Sequence, residues 1–258
     1  MPYATPVRDI HFLLNHAAEF SRVRETGAFE DLSDDLIEAV LTEAGKLADH
    51  VFAPLNWESD QNGARLENGQ VFTTPGFKEA YRQYVEGGWN ALGFPEEFGG
   101  QDMPQTLALA VFDILCAGCL SFAMGFSLTT GAAKAVKSSG SEEQKRLFLP
   151  KLVSGEWAGT MNLSEPQAGS DLANIKCKAE PQGDGTYKIK GTKIWISYGD
   201  HDLTENICHL VLARLPDAPE GTRGISMFLV PKYRVDEDGN IGERNDVTVV
   251  SIEEKLGQ

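Results

Sequence analysis

Cysteine is scarce in this sequence, with four residues in 258, which is too few for a disulfide scaffold in a chain of this length. Cys116 and Cys119 form a CxxC pair, but no second cysteine pair or spaced histidine pair accompanies it. The pair lies in an apolar stretch typical of a helix, where free cysteine behaves as a small hydrophobic residue. Helix packing is therefore favoured over zinc or redox chemistry, and we expect no metal site.

Basic residues and long apolar runs are also lacking. Lysine and arginine total 23 against 38 acidic residues, and the net charge of −15 opposes binding to phosphate backbones, so nucleic acid is not an expected partner. The most apolar stretch, 107–124, is interrupted by Asp113 and several glycines and serines, so we expect no membrane span. The first twenty residues do not resemble a secretion signal, and we expect a cytoplasmic location.

The first half of the sequence predicts helices. Ser33 is placed as the N-cap of an amphipathic helix over 34–55, because apolar residues recur there at helical spacing. A second helix is predicted over 77–88, where it stops at Gly87 and Gly88, and an extended loop follows.

Further helices are predicted before residue 157. The apolar stretch 106–136 predicts a central helical segment, interpreted as two helices broken near Gly131. Ser141 is expected to begin a short helix in which Pro150 marks a break.

The second half has the pattern of strands, with short runs of Val, Ile, Thr and Tyr separated by Gly, Pro, Asn and Asp. Strands are predicted at 187–190 and 193–196, joined by a turn at Gly191, and again at 207–215, 224–231 and 246–254. Helices followed by strands argue against alternating βαβ units, and no GxGxxG supports a Rossmann fold.

The sequence therefore predicts an α+β fold, with an all-helical N-terminal domain followed by a small antiparallel, β-barrel-like domain. We place an N-terminal helical arm at 1–32, the helical domain at 33–157 and the β domain at 158–258.

The densest polar cluster is MNLSEPQAGSDLANIK, residues 161–176. A strand reaching Leu163 is expected to deliver Ser164 and Glu165 into a turn, and Gly169 permits a close backbone approach. Such a loop presents hydroxyl and backbone N–H groups to a planar, hydrogen-bonding ligand. The segment is equally typical of a turn that only caps the next element, and the residues alone leave both interpretations open.

A second cluster is Trp195-Ile196-Ser197, which follows the strand predicted at 193–196. In a strand, Trp195 and Ser197 point to the same side, so a flat apolar face would lie beside a hydroxyl. The alternative is a tryptophan buried in the core of the sheet.

Together, the motif LSEPQAGSD at 163–171 and the later WIS resemble the acyl-CoA dehydrogenase family. The segments YATPVRDIHFLLNH, GWNALGFPEEFGGQDMP and GTRGISMFLVPK are similar to a long bacterial branch that includes 3-methylmercaptopropionyl-CoA dehydrogenase. The resemblance covers nearly the whole sequence. It implies an FAD-dependent enzyme that dehydrogenates an acyl-CoA thioester, and the branch implies a small sulfur-containing acyl group.

The resemblance also implies roles for individual residues. Three are matched to the pyrimidine edge of the flavin: Met161 and Leu163 through backbone groups and Ser164 through its hydroxyl. Two are matched to the bend that touches the cofactor, Gly169 and Ser170, and Ser170 also to the CoA part of the substrate. Three are matched to the residues that pack on the ring and reach its N5 edge, Trp195, Ile196 and Ser197. Asn162 and Asn174 depart from the small residues usual at their positions.

No catalytic residue is assigned. The family's base is a glutamate of a C-terminal helical domain, which this sequence does not include, so we expect the chain alone to be inactive. Two glutamates of this sequence are candidates for the base. Glu165, however, matches a residue with a structural role in the family, and Glu254 is favoured only by its position near the end of the sequence. The implied partners are acyl-CoA, an electron-transfer flavoprotein and a second copy of the full-length chain. An acyl-CoA oxidase would share these motifs. If the sequence ends at Gln258, the alternative is a non-catalytic module that binds flavin or a partner.

Overall fold

The computed structural model describes residues 3–29 and 31–253. Its first half is helical, and the observed order of helices before a sheet confirms the predicted fold class. The helices are α1 Val7–His16, α2 Ser21–Arg24, α3 Asp34–Leu47, α4 Ala53–Gln61, α5 Phe77–Glu86, α6 Gln105–Gly118, α7 Leu120–Ser139 and α8 Glu142–Ser154. A π-helical turn, Ala48–Phe52, joins α3 to α4, so the predicted long helix continues beyond its expected end.

Two helices begin where serines predict them. The Ser33 hydroxyl accepts a hydrogen bond from the backbone of Leu36 at 3.2 Å and caps α3. Ser141 caps α8 in a reciprocal arrangement with Gln144, with bonds of 2.9 and 3.2 Å. These contacts satisfy backbone N–H groups that a helix start otherwise leaves unpaired.

Two predicted helix breaks are wrong. The break between α6 and α7 lies at Cys119, whose backbone is extended, whereas Gly131 stays inside α7. Helix α8 also runs through Pro150, although proline removes one hydrogen bond from the helix. Leu149 and Leu152 beside it are buried, and this burial favours the continuous helix.

Aromatic packing centres the helical half. Phe52 contacts Phe122 edge-on with ring centroids 4.9 Å apart, and Tyr84 stacks on Phe126 at 4.0 Å. Cys119 is buried in this same core, as the helix-packing interpretation of the CxxC predicts.

A small hairpin interrupts the helices and was not predicted. Strands β1 Arg65–Glu67 and β2 Gln70–Phe72 pair antiparallel around Asn68 and Gly69, which both have positive φ. That backbone is the one that Asn-Gly favours in a two-residue hairpin turn.

The second half forms a five-stranded sheet and a separate two-stranded ribbon. The sheet contains β3 Trp157–Asn162, β4 Lys178–Pro181, β5 Tyr187–Lys190, β6 Asn206–Arg214 and β7 Ile225–Pro231, and the ribbon contains β8 Tyr233–Val235 and β9 Ile241–Arg244. The neighbour order is β3-β6-β4-β5, and β7 also pairs with β6.

The sheet is mixed, so the expectation of antiparallel pairing throughout is wrong. Strand β3 runs parallel to β6, and β4 meets β6 in parallel at one residue pair. The β4–β5 and β6–β7 pairs are antiparallel. The chain between β3 and β6, residues 163–205, is long enough to bring β6 back in the same direction, which a tight hairpin cannot do.

Two predicted strands are absent from the described residues. Residues 193–196 form an irregular segment that leads into a turn, and 246–253 pair with no strand. Glu254, the last residue of that prediction and a candidate base, lies outside the described residues. Within the described ranges, no helix combines the length and apolarity that crossing a membrane requires.

Helix α7 and strand β3 approach each other closely. A Cβ atom on Gly159 would lie 2.4 Å from the Cβ of Ala132, so glycine is required there. The backbone N–H of Gly159 donates to the Thr129 hydroxyl at 3.1 Å. Helix α7 therefore fixes β3, and with it the polar segment that follows the strand.

Candidate functional site

A cleft of about 2170 Å³ opens between the helices and one face of the sheet. It is larger than the roughly 300–1,000 Å³ of a typical small-molecule pocket. Helix α7 contributes Ser121 and Met124 to its lining, β3 contributes Asn162 and β6 contributes His209. The segment 191–201 also lines it, and this segment contains Trp195, Ile196 and Ser197.

The two predicted motifs lie side by side at the end of β3. The backbone N–H of Ile194 donates to the Ser164 carbonyl at 3.0 Å, and the Lys193 ammonium donates to the Leu163 carbonyl at 3.1 Å. Further along, the Thr160 hydroxyl donates to the Ser197 carbonyl at 2.8 Å. Three hydrogen bonds therefore tie the segment 193–197 along β3 and the two residues that follow it.

Not every predicted site residue faces the cleft. Met161 lies near the end of β3, Leu163 and Ser164 follow directly after the strand, and Gly169 and Ser170 lie in the loop beyond. None of these five is among the residues that line the cleft. The predicted residues thus meet in one place, which we call the junction: 161–164 and 169–170 on one side and 195–197 on the other. The cleft lies on the side of Trp195.

The loop after β3 is a tight turn. Glu165 and Ala168 exchange two backbone hydrogen bonds of 2.8 and 2.9 Å around Pro166 and Gln167. A Cβ atom on Gly169 would meet only the Ser164 hydroxyl, at 3.9 Å, so the bend leaves room for a ligand.

One residue of this loop, Asp171, caps the next element, as the alternative interpretation of the segment predicts. The Asp171 carboxylate accepts from the backbone of Ala173 at 3.2 Å and begins a short 3₁₀ turn, Leu172–Asn174. Capping is therefore the local role of Asp171, while the earlier residues of the loop form the turn beside 193–197.

Glu165 is a buried anion held by four donors. Its carboxylate accepts from the backbone of Lys176 at 2.6 Å and of Cys177 at 3.0 Å, from the Gln167 amide at 2.7 Å and from the Lys193 ammonium at 2.9 Å. Desolvation raises the pKa of Glu165, but these hydrogen bonds outweigh it and leave the pKa below its ordinary value. A carboxylate stabilised in this way is a poor proton acceptor, so the structure agrees with a structural role for Glu165.

Trp195 does not lie in a strand. Its φ is +59°, and that of Tyr198 is +50°, so residues 195–199 form a turn with a left-handed backbone at two positions. The predicted alternation of Trp195 and Ser197 on one strand face is therefore wrong. The alternative of a core tryptophan is also wrong, because half of the Trp195 surface is exposed.

Two residues that sequence reasoning missed hold this turn and the residues after it against the first half of the chain. The Tyr198 hydroxyl donates to the Ser121 carbonyl at 2.6 Å. Asp202 accepts from the backbone and hydroxyl of Thr73, at 3.0 and 2.8 Å, and pairs with the Lys78 ammonium at 2.8 Å. Nothing in the local sequence marks these contacts, since their partners lie far away along the chain.

A buried polar pair was also missed. The Nδ1 atom of His209 lies 3.2 Å from the Asn162 amide oxygen, and both side chains are buried. Burial lowers the pKa of His209 to about 4, and that of His201 nearby also to about 4. The one available signal was Asn162 itself, which stands where the family usually has a small residue.

The junction fits a planar ring with a hydrogen-bonding edge. Within the described chain, the hydroxyls of Ser164, Ser170 and Ser197 make no hydrogen bond, so all three can serve a ligand. Trp195 offers a half-exposed apolar face, and Gly169 leaves open space. No group of His, Cys, Asp and Glu in the described ranges has the arrangement of a metal site.

Comparison with known proteins finds similarity along nearly the whole chain. The family profile described as "Acyl-CoA dehydrogenase, N-terminal domain" matches residues 37–156, and that described as "Acyl-CoA dehydrogenase, middle domain" matches 160–258.

Two curated relatives cover almost all of the sequence. The 3-methylmercaptopropionyl-CoA dehydrogenase of Ruegeria pomeroyi is 48% identical over 100% of this chain. A butyryl-CoA dehydrogenase of Syntrophomonas wolfei is 39% identical over 99% of it. The chain spans less than half the length of these relatives, 44% of the first and 42% of the second.

The fold has solved counterparts. The butyryl-CoA dehydrogenase of Megasphaera elsdenii superimposes with a TM-score of 0.63 at 27% identity. The match covers 77% of this chain and 49% of that one.

Proposed function

Because the chain belongs to the acyl-CoA dehydrogenase family through its N-terminal and middle domains, we propose that it forms the FAD-binding part of such an enzyme. The reaction is the removal of two hydrogens from C2 and C3 of an acyl-CoA thioester. The named substrates of the two curated relatives are short acyl thioesters, and 48% identity to the first favours 3-methylmercaptopropionyl-CoA as the substrate.

One observation carries the proposal: the LSEPQAGSD loop and the WIS turn lie side by side. The 3.0 Å bond from Ile194 to the Ser164 carbonyl places a serine hydroxyl, an open glycine bend and a tryptophan face at one junction. A flavin needs this combination, since its ring is flat and apolar while its pyrimidine edge is polar.

The residues of the junction would share the work of holding FAD. Met161 and Leu163 would contribute backbone groups and Ser164 its hydroxyl to the pyrimidine edge. Trp195, Ile196 and Ser197 would pack beside the ring, and Gly169 and Ser170 would form the bend shared with CoA. When bound, FAD supplies the acceptor for the hydride that leaves C3.

The base that removes the C2 proton is proposed to lie outside the described residues. Glu165 is held as an anion by four hydrogen bonds. Asp200, one of several acidic residues that line the cleft, is paired with the Lys232 ammonium at 2.5 Å. The curated relatives are more than twice as long as this chain, which leaves room for a further domain that carries the base.

Three further features belong to the proposal. The electron acceptor would be an electron-transfer flavoprotein, and the full-length enzyme would be a homo-oligomer. The division at residues 32/33 and 157/158 separates an arm and a helical domain from the domain that holds most of the flavin contacts.

A titration of the purified chain with FAD tests the proposal. We expect saturable binding, weakened about three- to tenfold by Ser164→Ala, which removes one hydroxyl contact. Ser138→Ala is the matched control, because Ser138 is exposed on α7 and bonds only to local groups. Absence of FAD binding by the unaltered chain would reject the proposal and favour a module that binds a partner instead.

A further inference from the structure

Tyr198 connects the turn that carries Trp195 and Ser197 to the helical half of the molecule. Its hydroxyl donates to the carbonyl of Ser121 at 2.6 Å and lies 3.3 Å from that of Phe122, in the first turn of α7. Burial raises the pKa of Tyr198, so the hydroxyl keeps its proton and remains a donor at neutral pH.

Helix α7 is shaped to receive the tyrosine ring. A Cβ atom on Gly125 would lie 2.8 Å from the ring of Tyr198, which is closer than real contacts allow. Glycine is disfavoured inside a helix, so its presence here is explained by the approach of the ring. Gly131, further along the same helix, has nothing within 4 Å of the corresponding position.

The turn needs support from outside itself. Trp195 and Tyr198 both have positive φ, which residues with side chains rarely adopt. Such conformations persist where surrounding contacts hold them, and they concentrate at functional sites. The bond of Ser197 holds the turn to β3, that of Ile194 holds its approach to the loop after β3, and Tyr198 holds it to α7.

We propose that Tyr198 is a positioning residue, which anchors the 195–199 turn to α7 and thereby sets Trp195 and Ser197 against the cofactor. The role in cofactor binding rests on the proposed function. Because Ser121 and Met124 line the same cleft as the turn, the anchor also fixes the distance between the two walls of the site.

The test compares Tyr198→Phe with Tyr81→Phe. Tyr81 is a matched control, because its hydroxyl also donates to a backbone carbonyl, that of Gly155 at 2.8 Å, but it does not line the cleft. Both variants lose one hydrogen bond and are expected to lose similar thermal stability, so a merely structural effect is common to both.

Amide hydrogen exchange of the flavin-free chain is the first measurement. We expect exchange of the Gly199 amide, which donates to the Ile196 carbonyl at 3.1 Å within the turn, to rise about tenfold in Tyr198→Phe and to stay unchanged in Tyr81→Phe. Unchanged exchange in both variants would overturn the proposal. This measurement needs no cofactor, so it decides whether Tyr198 holds the turn even if the chain binds no FAD and the proposed function fails.

FAD affinity is the second measurement. We expect it to fall roughly three- to tenfold in Tyr198→Phe and not in Tyr81→Phe. An equal affinity in the unaltered chain and in Tyr198→Phe would overturn the role in cofactor positioning.

A second pair of variants tests the contact between Tyr198 and α7 by changing the helix instead of the tyrosine. Gly125→Ala should displace the tyrosine ring and raise exchange of the Gly199 amide, while Gly131→Ala, in the same helix but in open space, should not. If both glycine variants left the turn equally protected, the anchor proposed here would be wrong.

Discussion

Lys193 and Glu165 form a buried ion pair at 2.9 Å, which links the LSEPQAGSD loop to the segment that leads into the WIS turn. Their side chains are 8% and 3% exposed, so the pair is almost entirely shielded from water. Lys193 also bonds the Leu163 carbonyl, and Glu165 also bonds the backbone at 176 and 177. One buried pair therefore fixes the end of β3, the start of the segment that leads to Trp195 and the approach to β4.

Replacing the charge of Glu165 should destabilise the fold. Glu165→Gln leaves the Lys193 ammonium buried without its counter-ion, and we expect the free energy of unfolding to fall by about 3 kcal/mol. Denaturant unfolding with a common slope for the two proteins measures the difference. Glu67→Gln is the control: its pair with Arg65 is more than half exposed, and a change within about 0.5 kcal/mol is expected. Equal effects of the two substitutions would show that the buried pair is not structural.

Trp195 should contribute to FAD binding through its face. Trp195→Ala is expected to weaken FAD binding about tenfold or more, because an aromatic contact adds roughly 0.5–1.5 kcal/mol to the area that the side chain buries. Trp57→Ala provides the comparison, since Trp57 is 71% exposed on α4 and does not line the cleft. Fluorescence titration with FAD measures both affinities, and similar values for the two variants would remove Trp195 from the site.

The buried histidines should make stability depend on pH. The pKa of His209 is lowered to about 4 in the folded chain, against about 6.5 when unfolded, so between these values the unfolded state binds more protons. Stability therefore falls as the pH falls from about 6.5 to 4, with a slope for this residue of up to about 1.4 kcal/mol per pH unit.

His209→Gln removes this titration and should flatten the slope within that pH window, with the contribution of His201 left in place. Denaturant unfolding at pH 7, 6, 5 and 4.5 provides the curve. An identical slope in the variant and the unaltered chain would mean that His209 is not held neutral by the fold.

The sequence predicts those parts of the fold that local chemistry determines. Ser33 and Ser141 mark helix starts because their hydroxyls bond backbone groups three residues away. Apolar spacing identifies the helices, and alternation identifies β5, whose pairing with β4 is local. The Asn68-Gly69 hairpin had a readable signal that the prediction missed.

The remaining features depend on distant contacts. Residues 193–196 have the composition of a strand, yet bonds to Leu163 and Ser164 hold them out of the sheet and Tyr198 draws the following turn towards α7. Similarly, the parallel direction of β6 depends on the path of residues 163–205, which no local pattern specifies. The two motifs of the site could be recognised in the sequence. Their position side by side, and the contacts that hold them there, could be found only in the structure.

The flavin absorbance spectrum of the purified chain with added FAD, recorded without oxygen before and after a short acyl-CoA, tests the central claim most directly. We expect a retained flavin whose visible absorbance does not bleach, because these residues hold the cofactor but provide no base. Bleaching by acyl-CoA would contradict the account by showing that a base lies within the chain. Failure to retain any flavin would contradict it by showing that the junction does not bind the cofactor.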